Sequence, residues 1–177
     1  AGPVRMGTTL SAAWFLDDKL AWVHVGDSRI YLCRDSSLQQ LTRDHNRNEF
    51  AARDGRTTSP EGWNLCQSFI YGSRGLGDNS MIRLEAGLDA GMVELRKNDV
   101  VLLCSDGLTG TVSDSVLEAV LSQDLDCESA ADALVSSAIE RGSKDNITAI
   151  VIRVGSLGDG LQVEGSFEGV EEKTVMF

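Results

Sequence analysis

Along the first 45 residues, β-branched and aromatic positions come in short runs separated by small polar groups. Runs at 9–16, 20–25 and 29–33, with a shorter one at 38–41, are broken by Asp17-Asp18-Lys19, Gly26-Asp27-Ser28 and Asp35-Ser36-Ser37. Connections this short suit hairpins, so the pattern predicts an antiparallel meander. From 43 to 80 the pattern dissolves. Asp54-Gly55-Arg56 and Ser59-Pro60-Glu61-Gly62 act as breakers, and Gly72, Gly75 and Gly77 crowd together. A short helix near 46–53 followed by a mobile loop is expected there.

Order returns with a predicted strand at 92–95, the turn Arg96-Lys97-Asn98-Asp99 and the apolar run Val100-Val101-Leu102-Leu103-Cys104. A run of this length bounded by turn residues favours a strand buried on both faces, although periodicity alone leaves a helix open. Two amphipathic helices follow. In the first, Ser113 or Ser115 is the candidate cap, Ser115 and Glu118 have capping-box spacing, and Val116, Leu117, Val120 and Leu121 form the apolar stripe. In the second, Ala131, Leu134, Val135, Ala138 and Ile139 share a face, and Gly142 is placed to end it. Each helix should cover a sheet. Residues 147–154 predict a last strand. Beyond Gly155 the chain turns glycine-rich and acidic, which predicts a linker or tail over 155–177 with a frayed Val175-Met176-Phe177 end.

Composition narrows the function classes. A chain of 177 residues with 42% hydrophobic and 24% charged residues can bury the core of one domain. The excess of 27 acidic over 16 basic residues, a net charge of -11, repels nucleic-acid backbones and anionic membrane surfaces, so neither is an expected partner. No apolar run reaches the roughly 20 residues of a membrane helix, and no signal peptide is evident. Cys33, Cys66, Cys104 and Cys127 form no C-x-x-C pair and read as reduced thiols of a cytoplasmic protein. His24 and His45 have no partner at zinc-ligand spacing, and His24 reads as a buried sheet residue. The chain opens on Ala1-Gly2-Pro3 and soon enters a strand, so the true N-terminus is expected elsewhere.

Three aspartates share one local setting, beside a predicted strand and flanked by small residues. Asp27 follows the second strand in V-G-D-S-R, Asp106 follows 100–104 in C-S-D-G-L, and Asp145 precedes the last strand in S-K-D-N-I-T. Carboxylates at strand ends are rigidly held yet can face a cleft, and hard oxygen donors suit Mg²⁺ or Mn²⁺ rather than zinc or copper. Taken singly, Asp27 is better explained by ordinary turn chemistry, and for Asp145 the two readings stand about even. Asp106 is different, because an apolar strand ending in Ser-Asp-Gly brings a charge to the rim of the core, where it needs partners.

Five motifs carry a resemblance. Met6-Gly7-Thr8-Thr9-Leu10, Val25-Gly26-Asp27-Ser28-Arg29-Ile30-Tyr31, Leu41-Thr42-Arg43-Asp44-His45, Leu103-Cys104-Ser105-Asp106-Gly107-Leu108 and Ser143-Lys144-Asp145-Asn146-Ile147-Thr148 occur in the order and rough spacing of the type 2C metal-dependent serine/threonine protein phosphatases, in their bacterial branch. The resemblance covers about 6–154. It implies an α+β fold, an α-β-β-α sandwich of two antiparallel sheets flanked by helices, here incomplete at the N-terminus. Residues 1–154 would be the C-terminal part of that domain, with a flap region at about 43–80 that carries Trp63, Phe69, Tyr71 and Arg74.

Carried over by motif, the resemblance makes Asp106 and Asp145 ligands of a two-metal Mn²⁺ or Mg²⁺ centre, with Asp27 and Asp106 helping to bind a third, weaker ion. Asn146 shapes the turn. Hydrolysis of phosphoserine and phosphothreonine in proteins would use metal-activated water, with no catalytic side chain acting as nucleophile. His45 is expected to be structural. The partners implied are phosphorylated protein substrates, such as the targets of a serine/threonine kinase in signalling. The family's early arginine and its Asp-Gly-x-Gly-Gly stretch, whose aspartate bridges both metals, do not occur in these 177 residues. Activity is therefore expected of the intact parent protein and little or none of this fragment alone. A pseudophosphatase or regulatory interaction domain is the alternative, although it has no need of three aligned acids. A carboxylate-based metal sensor ranks third.

Overall fold

The hairpins expected in the first 45 residues form, but they belong to two different sheets. The computed structural model describes residues 8–45 and 89–155, together with the short strands at 70–71, 83–84 and 163–164. Strand β1 (Leu10–Leu16) pairs antiparallel with β2 (Lys19–Val25), and β3 (Arg29–Arg34) with β4 (Ser37–Gln40). Asp35 and Ser36 both take positive φ, 51° and 60°, as a two-residue turn that follows the twist of its strands requires. Between the hairpins, β2 and β3 do not pair. Gly26-Asp27-Ser28 instead carries the chain from one sheet to the other. The predicted meander is corrected on this point, because alternation identifies apolar faces and not the sheet to which a strand belongs.

Two antiparallel sheets result. The three-stranded sheet has the order β1-β2-β7, with β7 at Asp89–Glu94. The five-stranded sheet has the order β10-β9-β8-β3-β4, with β8 at Val100–Cys104, β9 at Ala149–Val154 and β10 at Val163–Glu164. A two-residue ladder joins β5 (Ile70–Tyr71) to β6 (Arg83–Leu84) within the stretch expected to be loop, and β10 adds an edge pairing within the expected tail. The helix expected near 46–53 and the aromatics Trp63 and Phe69 lie outside the described residues.

Alternation along β3 explains the layering. Ile30 and Leu32 turn toward the first sheet, where they pack with Leu20, Leu95, Val101 and Ile152. Tyr31 and Cys33 turn the other way, into a second core with Leu102, Leu117, Leu134 and Ala138. That second core is roofed by α1 (Asp106–Thr109), α2 (Asp114–Leu121) and α3 (Cys127–Glu140). Among the described residues, helices cover this sheet alone. The outer face of the three-stranded sheet exposes Trp14 at 69% and Met92 at 58%. Among the described residues no helix is long and apolar enough to cross a membrane.

Local chemistry revises several boundaries. The capping box does not form: Ser113 is the cap residue of α2, but its Oγ lies 2.9 Å from Ser115 Oγ, and the Glu118 carboxylate accepts from Leu38 N at 2.8 Å. Leu38 lies on the edge strand β4, so its N–H needs an acceptor from outside the ladder. Helix α3 starts earlier than its apolar stripe suggests, because Asp126 accepts from Ser129 N at 2.8 Å and caps it. Gly142, at φ +79°, ends it as expected. Strand β7 begins at Asp89, earlier than predicted, because Gly91 opposite Trp22 leaves room for the indole that a Cβ would overlap.

Candidate metal centre

Strands β3, β8 and β9 lie side by side, with Arg29 opposite Cys104 and Cys104 opposite Ala149. Asp27 precedes the first of this row, Asp106 follows the second and Asp145 precedes the third, so antiparallel pairing brings all three to one end of the sheet. The Asp106 carboxyl is held above its ordinary range, by burial first and then by the charges of Asp27 and Asp145. Three mutually repelling carboxylates are a donor set that a hard divalent cation suits. Among the described residues no group of three or more His, Cys, Asp or Glu is placed so as to hold a metal ion, so the three aspartates share one end of the sheet without forming a cation cage by themselves.

Hydroxyls that the sequence does not single out knit the two loops together. Ser105 N donates to Thr148 O at 3.1 Å, Ser105 Oγ donates to Asn146 O at 3.1 Å and accepts from Thr148 N at 3.0 Å. These bonds draw Ile147 and Thr148 into the loop, which is why β9 starts at Ala149 rather than 147. Ser143 Oγ donates to Gly107 O at 2.8 Å. Asn146 N donates to Asp145 Oδ1 at 2.8 Å. The only signal in the sequence is that a serine flanks each aspartate in S-D-G and S-K-D-N.

Gly107 is where the loops touch: a Cβ there would overlap the Asn146 carbonyl. Gly107→Ala is expected to cost about 1–3 kcal/mol through overpacking. Denaturant unfolding of the variant measures it, and an unchanged midpoint would show that the loops can part freely.

Arg29 stands near this end of the sheet, yet it is committed elsewhere. Its Nε and Nη2 both reach the Asp44 carboxylate at 2.8 Å, and Nη1 donates to Tyr31 Oη at 2.9 Å. Tyr31 Oη in turn donates to Asp114 Oδ1 at 3.1 Å, at the start of α2. Hydrogen bonding to Asp44 drives the Arg29 pKa further up, and burial pushes the Tyr31 phenol above its ordinary range. Arg29 therefore braces the T-R-D-H segment against β3. The thiol of Cys104, one strand over, is pushed up to about 12 by burial, which makes it an inert core residue.

His24 and His45 are both buried, as the sequence led one to expect of His24. Burial, then repulsion by His45, lowers the His24 pKa from its model-peptide value of 6.5. The folded protein thus resists a proton that the unfolded chain accepts, and stability falls as pH drops below about 6.5. The melting temperature is expected to decline between about pH 7 and 5.5, with a shallower decline in His24→Gln. Parallel pH profiles for the two proteins would overturn this assignment.

Comparison with known proteins agrees with the fold. A family model described as Protein phosphatase 2C matches residues 2–147. The serine/threonine protein phosphatase PstP of Mycobacterium tuberculosis is 37% identical over 150 residues, covering 84% of this chain and 28% of that protein. The serine/threonine phosphatase stp of Listeria monocytogenes is 33% identical over 147 residues, covering 83% of this chain and 56% of that protein. Among solved structures, the catalytic domain of PstP in complex with two manganese ions superposes with a TM-score of 0.62 at 34% identity, covering 82% of this chain and 57% of that one. The chain thus spans between a quarter and three fifths of the length of these relatives.

Proposed function

Because the chain belongs to the protein phosphatase 2C family, we propose that it supplies the C-terminal part, residues 1–154, of a serine/threonine protein phosphatase acting on phosphoserine and phosphothreonine in cytoplasmic signalling proteins. The observation that carries this reading is the convergence of Asp27, Asp106 and Asp145 at one end of β3, β8 and β9. In this proposal Asp106 and Asp145 are donors to a pair of Mn²⁺ or Mg²⁺ ions, and Asp27 with Asp106 contributes to a third. The manganese pair in the PstP catalytic domain supports the choice of cation. When bound, such ions supply the Lewis acidity that makes water a nucleophile and offsets charge on the phosphoryl oxygens.

The chain's own residues hold and aim these donors. Ser105 and Ser143 fix the two loops relative to one another, Gly107 lets them close, and the β8–β9 pairing keeps Asp106 and Asp145 at the same end of the sheet. With Arg29 bound to Asp44, the phosphate clamp is proposed to come from elsewhere in the full-length protein. The 177 residues alone, which lack an Asp-Gly-x-Gly-Gly stretch, are proposed to show little or no turnover.

Release of inorganic phosphate from a phosphothreonine peptide by the full-length protein tests the proposal. Release should require Mn²⁺ or Mg²⁺ and stop on addition of a chelator. No release at saturating Mn²⁺ from a folded full-length protein would overturn it.

A further inference from the structure

Next to the candidate donors lie two histidines that the metal-site reading leaves without a task. His24 is fully buried on β2, and His45 is 5% exposed beyond β4. Their ring centroids stand 5.0 Å apart. Gly26 bonds to both residues through the two peptide groups that flank its Cα. Its carbonyl accepts from His24 Nε2 at 2.9 Å and from His45 backbone N at 2.7 Å, and its N–H donates to His45 Nδ1 at 3.3 Å.

These partners dictate the tautomers. A carbonyl only accepts, so His24 carries a proton on Nε2; a peptide N–H only donates, so His45 Nδ1 is bare. His24 Nδ1 then accepts from the Ser11 hydroxyl at 2.8 Å, and His45 Nε2 faces Asp89 Oδ2 at 3.5 Å. Gly26 itself cannot be exchanged for a stiffer residue. Its φ is +117°, and a Cβ would overlap the Thr9 side chain. Glycine at such a position is also the residue with the most freedom to relax, so any precision at Asp27, the next residue, must be imposed from outside.

We propose that His24 and His45 are positioning residues that hold the backbone on either side of the Gly26 Cα and so keep Asp27 in place at the cation site. Two buried imidazoles need polar partners, and by taking the N–H and the carbonyl of Gly26 among theirs they fix the backbone just before Asp27. The inference rests on Asp27 being a cation donor, and partners behind a metal ligand commonly govern affinity by about 10- to 100-fold.

Mn²⁺ titration of the full-length protein, followed by the electron paramagnetic resonance of free Mn²⁺, tests it. Asparagine at 45 places its amide oxygen where Nδ1 stands, whereas glutamine reaches past Gly26 toward Asp89. At 24 the glutamine amide nitrogen reproduces Nε2, and leucine removes it. H45N and H24Q are expected to retain the Asp27-dependent affinity, while H45Q and H24L weaken it about 10- to 100-fold. If H24L does not fold, the contrast between H45N and H45Q carries the test. Retained affinity in H45Q, with that same site lost in D27A, would overturn the positioning role. Unchanged Mn²⁺ binding in D27A would instead overturn the donor reading of Asp27, and this inference with it.

Discussion

Asp106→Asn in the full-length protein is expected to cut metal-dependent phosphate release from a phosphothreonine peptide by about two to four orders of magnitude. Cation stabilisation of phosphoryl charge accounts for several kcal/mol of such a barrier, and each 1.4 kcal/mol, roughly, is tenfold in rate. The same substitution removes a carboxylate that burial first, and repulsion by Asp27 and Asp145 second, hold above its ordinary range. The metal-free variant should therefore melt at a higher temperature than the metal-free parent, the trade of stability for activity that charged sites show. Steady-state kinetics with Mn²⁺ and a melting curve in chelator measure both halves. A variant that keeps near-parental turnover would remove Asp106 from the site.

Asp99→Ala should have the largest effect on stability, at about 3 kcal/mol. Asp99 is 1% exposed at the turn before β8, where Arg34 Nε and Nη2 bind its carboxylate at 2.8 and 2.6 Å and Arg96 N donates to it at 2.7 Å. Arg34 Nη2 also donates to the Glu94 carbonyl at 2.7 Å, so one guanidinium ties β7 of one sheet to the start of β8 in the other. Breaking a buried pair leaves the partner uncompensated, and Arg34 keeps enough access to water to place the cost at the lower end of about 3–5 kcal/mol. For a chain of this size that is about 6–12 °C in melting temperature. Calorimetry at neutral pH measures it, and a shift below about 2 °C would mean that the two sheets are held together by their apolar core alone.

Strands were legible where the pattern was local. The run from Val100 to Cys104 and the hairpin turns at Asp17-Asp18 and Asp35-Ser36 appear as their residues predict, since turn chemistry and apolar alternation act within a few positions. Less legible were elements settled by distant partners. Glu118 has the spacing of a capping-box acid but bonds Leu38, far away in the chain, and β10 forms only because β9 offers it an edge. The short helix α1 at Asp106–Thr109 carries no periodic signal of its own, and follows from the anchoring of Ser105 and Gly107 to the 143–148 loop.

The candidate centre divides in the same way. Asp27, Asp106 and Asp145 stand beside strands in the sequence, and their flanking glycines and serines mark them before any coordinates are known. A carboxylate beside a strand has two possible fates, a solvated turn or a shared site, and the local sequence is the same for both. Only pairing across β3, β8 and β9 brings residues so far apart along the chain to one end of one sheet. The passage of Gly26-Asp27-Ser28 from one sheet to the other was likewise invisible, because both hairpins satisfy their alternation whichever sheet they join. The identity of the candidate donors lay in the residues themselves. Their convergence, and the bonds of His24 and His45 to Gly26 beside Asp27, came from long-range packing, whose free energy no short window of sequence contains.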